Sequence, residues 1–107
     1  MKRLILAATS LTLLFGCAIP EDDFPETYGK SVCKRLEECD QGSYENQYDD
    51  RADCVDTWSG LADDFLGFAD ALDQDYNEDK ARDCISSMKD ASCGEFSDGS
   101  FECDLFD

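Results

Sequence analysis

The chain has 107 residues, and its 26 acidic and 9 basic side chains give a formal charge of −17 with no histidine. That length is one small domain behind a leader, and that charge repels phosphate backbones, which argues against nucleic-acid binding. The lack of histidine removes the commonest general base, the Ser-His and Cys-His nucleophile pairs and the commonest transition-metal ligand. Carboxylate pairs such as Asp63-Asp64 arise by chance in so acidic a chain, and a domain this small has little room for a substrate cleft. The expectation is no enzyme and no cofactor.

In chain order, Lys2 and Arg3 form a positive start, and Leu4 to Phe15 is an apolar run of secretion-signal length, too short to span a bilayer. Leu14-Phe15-Gly16-Cys17 then resembles the lipobox of bacterial lipoproteins, with Leu at the third position before the cysteine and a small residue just before it. Phe15 departs from the usual small or aliphatic residue between them. The resemblance implies a signal peptide over 1–16 and a lipidated, palmitate-type Cys17 as the first mature residue. By the sorting rule for such proteins, Ala18 after the cysteine implies the outer membrane. Loss of Lys2 and Arg3 takes two positive charges from −17, leaving −19. A surface so acidic repels anionic lipid heads, so the acyl group would be the membrane anchor. Seven cysteines are an odd set, but without Cys17 six remain: Cys33, Cys39, Cys54, Cys84, Cys93 and Cys103. Six behind an export signal read as three disulfides in an oxidising compartment, and no Cys-x-x-Cys pair suggests zinc.

Residues 17–23 read as lipidated cysteine and polar tether, and 24–107 as a disulfide-rich helical domain. A first helix is predicted over Pro25–Cys39, where Phe24, Tyr28, Val32 and Leu36 recur every four residues. Asp40–Asp50 has no apolar period and reads as a loop carrying Tyr44 and Tyr48. A second helix, Arg51–Leu72, has Asp50 as N-cap and Asp53 in its first turn. Its apolar stripe of Cys54, Trp58, Leu61, Phe65, Phe68 and Leu72, widened by Val55, Ala62, Leu66 and Ala69, reads as core. Gly60 and Gly67 share a face and each weakens the helix by ~1 kcal/mol relative to Ala unless a neighbour packs there. A third helix, Glu78–Ala91, is capped by Asn77 and buries Ala81, Cys84, Ile85 and Met88. The tail from Glu95 reads as irregular, and no internal repeat is visible. Asp73, Asp75, Asn77 and Asp79 alternate like the start of a calcium loop. Glu78 stands where that loop needs Gly and Cys84 where it needs Glu, so an acidic capping loop is the better reading.

The sum is an all-α, disulfide-stapled three-helix bundle with an irregular C-terminal tail. In up-down-up order the expected bridges are Cys39–Cys54, closing the first hairpin, Cys33–Cys84 between the outer helices, and Cys93–Cys103 in the tail. Tyr28 to Cys39 (YGKSVCKRLEEC), Tyr48 to Cys54 (YDDRADC) and Asp75 to Cys93 (DYNEDKARDCISSMKDASC) resemble small cysteine-rich lipoproteins of myxobacteria and their relatives. The resemblance implies a helical, disulfide-bonded domain and carries no activity with it.

Three roles fit these features: an envelope protein-interaction module, an inhibitor or immunity factor against a basic toxin or hydrolase, and a structural envelope lipoprotein without a discrete ligand. The first is the expectation, in a monomer whose partner is a basic protein. Tyr44 and Tyr48 in the first loop, with Phe101 and Phe106 in the tail, are the candidate contact residues, expected at one end of the bundle. Aromatic anchors ringed by acids suit a hot spot that steers a basic partner.

Overall fold

Three long helices hold the core, and two short ones complete the described chain. The computed structural model describes residues 18–107, and residues 1–17 lie outside the described residues, together with the signal-peptide and lipidation expectations placed on them. Helix α1 is Phe24–Cys39, with Pro25 in its first turn. Helix α2 is Gln41–Gln47. Helix α3, Arg51–Ala71, starts at Asp50, whose side chain accepts the Asp53 amide. Helix α4, Glu78–Asp90, is capped in the same way by Asn77, which accepts the Lys80 amide. Helix α5, Cys93–Asp98, starts in a reciprocal capping box between Ser92 and Glu95 and ends at Gly99 in the left-handed region. No strand occurs among the described residues beyond an isolated bridge between Tyr76 and Phe106.

Helix α1 is the hub, packing on α3, α4 and both short helices. It runs antiparallel to α3 and in the same direction as α4. Ile19, ahead of α1, donates its amide to the Glu78 carbonyl at the start of α4, while Arg35, near the other end of α1, donates to the Ala91 carbonyl just past the end of α4. The core joins Phe24 of α1, Ala62 and Leu66 of α3, and Ala81, Cys84 and Ile85 of α4. Leu105 of the tail fills the remaining gap at 4% exposure. The expected apolar face of α4 is buried throughout, Met88 included.

All three bridges differ from the expected ones. The structure pairs Cys33–Cys54, Cys39–Cys93 and Cys84–Cys103. Register explains the first. Cys33 and Cys54 lie level across the antiparallel α1–α3 pair, with Cα atoms 6.0 Å apart. Six residues beyond Cys33, Cys39 is then level with a position six residues before Cys54, which precedes α3 altogether. The connection between them is not a loop but α2, which holds that interval open. Cys39 instead meets Cys93, because α1 and α4 end side by side and α5 begins there. Cys93 cannot reach Cys103, since α5 carries the chain away before the tail turns back across Cys84.

The tether is also not free. Ile19 packs against the core and Tyr76 donates its hydroxyl to the Ile19 carbonyl at 2.7 Å, so the chain is docked almost from its first described residue. Burial raises the phenol pKa of both Tyr76 and Tyr28, and at Tyr76 the carboxylates of Glu21, Glu78 and Asp23 push the same way.

One glycine sets the helix spacing. A Cβ on Gly29 would sit 2.5 Å from Ser59 Oγ and 2.8 Å from the Val55 carbonyl oxygen, so α1 and α3 cross at van der Waals distance there. Val55 O belongs to the backbone and cannot step aside. Gly29→Ala should therefore destabilise the fold by about 1–3 kcal/mol despite alanine's higher helix propensity, as overpacking does. Gly67→Ala, where nothing lies within 4 Å, should stabilise by up to ~1 kcal/mol. Chemical denaturation of the two variants side by side checks the contrast in sign.

Candidate functional site: the open face of α3

The aromatic stripe expected as core is mostly at the surface. Cys54 is buried and Trp58 half-buried, but Leu61, Phe65, Phe68 and Leu72 are 54%, 51%, 64% and 55% exposed. Helix α3 buries instead the neighbouring row Cys54, Ala62, Leu66 and Ala69. The reason lies in the helix arrangement. Gly29 draws α3 close to α1, and small Ala62 and Ala69 fit that approach. Helix α4 packs on α1 rather than on α3, so the second half of α3's wide apolar arc has no helix across from it. The tail reaches it where Phe106 meets Phe65 with ring centroids 5.8 Å apart, and Leu61 and Phe65 border a concavity shared with Phe24 and Tyr28 of α1.

At its N-terminal end the stripe runs into an apolar groove between the α1–α3 pair and the returning tail. Tyr28, Trp58 and Phe101 line it on both sides of Phe101, in two lobes of about 420 and 450 Å³. Trp58 is fixed by donating Nε1–H to the Tyr48 hydroxyl at 2.9 Å. Phe101 is fixed by stacking on Phe96, with centroids 6.1 Å apart, and Phe96 in turn carries the Arg35 guanidinium 5.7 Å above its ring.

The expected four-aromatic patch does not assemble. Tyr44 and Tyr48 are neighbours, 6.0 Å apart, half-buried on α2 and at its end, and the Tyr44 hydroxyl accepts from Arg51, which also pairs with Glu37. Phe101 reaches the Trp58 groove near them. Phe106 lies at the opposite end of the bundle beside Tyr76, because the tail runs the length of the molecule instead of staying where α4 ends. The calcium candidates do not gather either. Asn77 spends its side-chain oxygen on the Lys80 amide and donates its amide group to Asp107. Among the described residues no group of three or more acidic, cysteine or histidine side chains is placed to hold a metal.

No family model, curated protein or solved structure matches the chain. The site is therefore defined by its own chemistry. From residue 52 to residue 79 the sequence has nine acidic side chains and no basic one. Its described cations cluster elsewhere. Lys30, Lys34, Arg35 and Lys89 line a shallow groove between α1 and α4, and Lys80 lies against Asp104 and Asp107 at 3.6 and 3.8 Å. Surface pairs of this kind add little stability, but their placement leaves α3 apolar along one line and anionic around it. Periodicity alone marks the apolar arc of α3 without showing which half gains a neighbour. Gly60 and Gly67 face open space on the polar side of α3 and do not separate the halves.

Proposed function

We propose that the protein is an exported, lipid-anchored module that binds another protein at the envelope, built on a three-helix scaffold of α1, α3 and α4. The exposed line of Leu61, Phe65, Phe68 and Leu72 carries this reading. Four large apolar side chains in a row on a soluble domain are a standing cost in water unless another surface covers them. The disulfide-clipped scaffold supports it too, since a rigid surface loses little freedom on binding. Anchoring rests on the Leu14–Cys17 sequence and is supported by the cysteine count. Six cysteines bond to one another, which leaves Cys17 as the odd thiol for the acyl chain. Ala18 favours the outer membrane. No helix among the described residues is long and apolar enough to cross a membrane.

Cys17→Ala should leave an unprocessed precursor or release the protein into soluble fractions. A variant that matures and fractionates with the membrane as wild type does would remove the anchor. The interaction itself is tested by capture from detergent-solubilised envelopes, comparing wild type with Leu61→Ser/Phe68→Ser at low and high salt. A protein retained by wild type and lost from the variant is the expected result. Equal capture by both would place recognition elsewhere on the domain, and no capture would leave a structural role. A captured basic toxin or hydrolase, inactivated on binding, would make the module an inhibitor.

A further inference from the structure

We propose that the Trp58 groove binds a small organic cation with an apolar tail, of the alkylammonium class. The inference goes beyond the protein-interaction reading and does not use Phe68 or Leu72 of the α3 line. The two lobes of the groove meet at Tyr28, Trp58 and Phe101, and they differ in chemistry. The first, of about 420 Å³, is apolar. Phe24 and Leu105 lie buried at its floor, and Leu61 and Phe65 stand exposed at its edge. The second, of about 450 Å³, adds Phe96 to the shared rings and carries two exposed carboxylates, Asp40 and Asp98. Among the described residues, no lysine or arginine lines either lobe. Volumes of this size suit a small organic ligand.

Three features of the second lobe select a positive charge. Aromatic rings attract a cation through their negative faces, and the carboxylates attract it directly. Helix α1 ends there at Cys39 with no basic side chain in its last turn, so its carbonyl end adds to the negative potential. Asp40 does not use its carboxylate to cap α2, which leaves it to a ligand. The chain already binds a cation on these rings, since the Arg35 guanidinium lies 5.7 Å over Phe96 and Phe96 stacks on Phe101. The walls are also set in advance. Cys39–Cys93 ties the end of α1 to the start of α5, and Tyr48 holds Trp58, so a ligand has little to order. A bare metal ion is disfavoured because, among the described residues, no group of three or more acidic, cysteine or histidine side chains is placed to hold one. A compact cation would leave the apolar lobe empty, which is the reason for the tail.

The test titrates hexyltrimethylammonium into the folded protein and follows the fluorescence of Trp58, the sole tryptophan, which lines both lobes. A saturable change is expected. Binding should be at least tenfold tighter than that of hexanol, which has the tail without the charge, and hexanoate should not bind. Asp40→Asn/Asp98→Asn should weaken it about fivefold, and Phe101→Leu, which keeps an apolar wall but removes the ring, by a similar factor. The asparagine pair should melt with the wild type, since both carboxylates are exposed and Asp40 makes no cap bond, so lost folding cannot explain lost binding. Leu72→Ser, at the far end of the α3 line, should change binding less than twofold, which separates this groove from the interaction surface proposed above. Equal binding of hexanol, or unchanged binding by the asparagine pair, would overturn the proposal. So would the lack of a saturable response below about 10 mM. A lysine-containing peptide that binds the same residues at least tenfold tighter would overturn it too, and would assign the groove to a side chain of a partner protein. If the cation fails to bind while envelope capture persists, the groove assignment falls and the interaction function stands.

Discussion

Replacing Cys33 and Cys54 together by alanine should lower the unfolding free energy by about 3–5 kcal/mol, the largest loss expected from any single bridge. The bridge spans 21 residues, and closing a loop of that size restricts the unfolded chain by an amount worth about 3 kcal/mol. Both cysteines are also fully buried, at 0% exposure, so their removal leaves unfilled space where α1 and α3 meet. The Cys39–Cys93 bridge spans 54 residues and restricts the unfolded chain more, by about 4 kcal/mol, but Cys93 is exposed and its loss opens no core space. Denaturant titration of the two double variants should therefore show a loss for Cys33/Cys54 at least as large as that for Cys39/Cys93. A loss under about 1 kcal/mol for the first would mean that the α1–α3 register is held without it. Non-reducing peptide mapping should find Cys33 joined to Cys54.

Leu105→Ala should cost about 2–4 kcal/mol and release the tail. Leu105 is the tail's single buried side chain, filling the core between Phe24, Leu66 and Ile85. Its carbonyl accepts the Asn77 amide, and two residues on Asp107 donates to the Asp75 carbonyl. With the leucine gone, the end of the tail keeps these two bonds, the Asn77 and Lys80 side-chain contacts to Asp107 and Phe106, and the Phe106–Phe65 ring contact, all near the surface and open to water. The variant should melt lower and lose residues after Cys103 to limited proteolysis, while Cys84–Cys103 keeps the rest attached. Wild-type resistance of the tail in Leu105→Ala would show that the disulfide alone seats it.

Much of the fold is written locally. The starts of α3 and α4 follow from Asp50 and Asn77, residues whose short side chains satisfy free amides within one turn, and no distant contact is needed to find them. The apolar face of α4 reads correctly because a short helix with one narrow line offers a single way to bury it. Helix α2 is not legible, because Gln41–Gln47 has no apolar period and forms in the interval held between Cys39 and α3. The bridges are not legible for the same reason. Six cysteines allow 15 pairings, and the choice depends on a register that α2 sets. On α3 the arc is visible, but Leu61, Phe65, Phe68 and Leu72 have the same composition and spacing as a core line. What separates them from Ala62, Leu66 and Ala69 is where α4 packs, a fact of tertiary arrangement. The site was therefore present in the sequence as a feature and hidden as a surface.

The measurement that tests the account most directly is site-specific photocrosslinking in the producing cell, with a benzophenone amino acid at position 68 on α3 and, separately, at position 34 on α1. A discrete adduct to a basic protein is expected from position 68, lost when Leu61 and Leu72 are both replaced by serine, and none from position 34. The same adduct from both positions, or from position 34 alone, would contradict it.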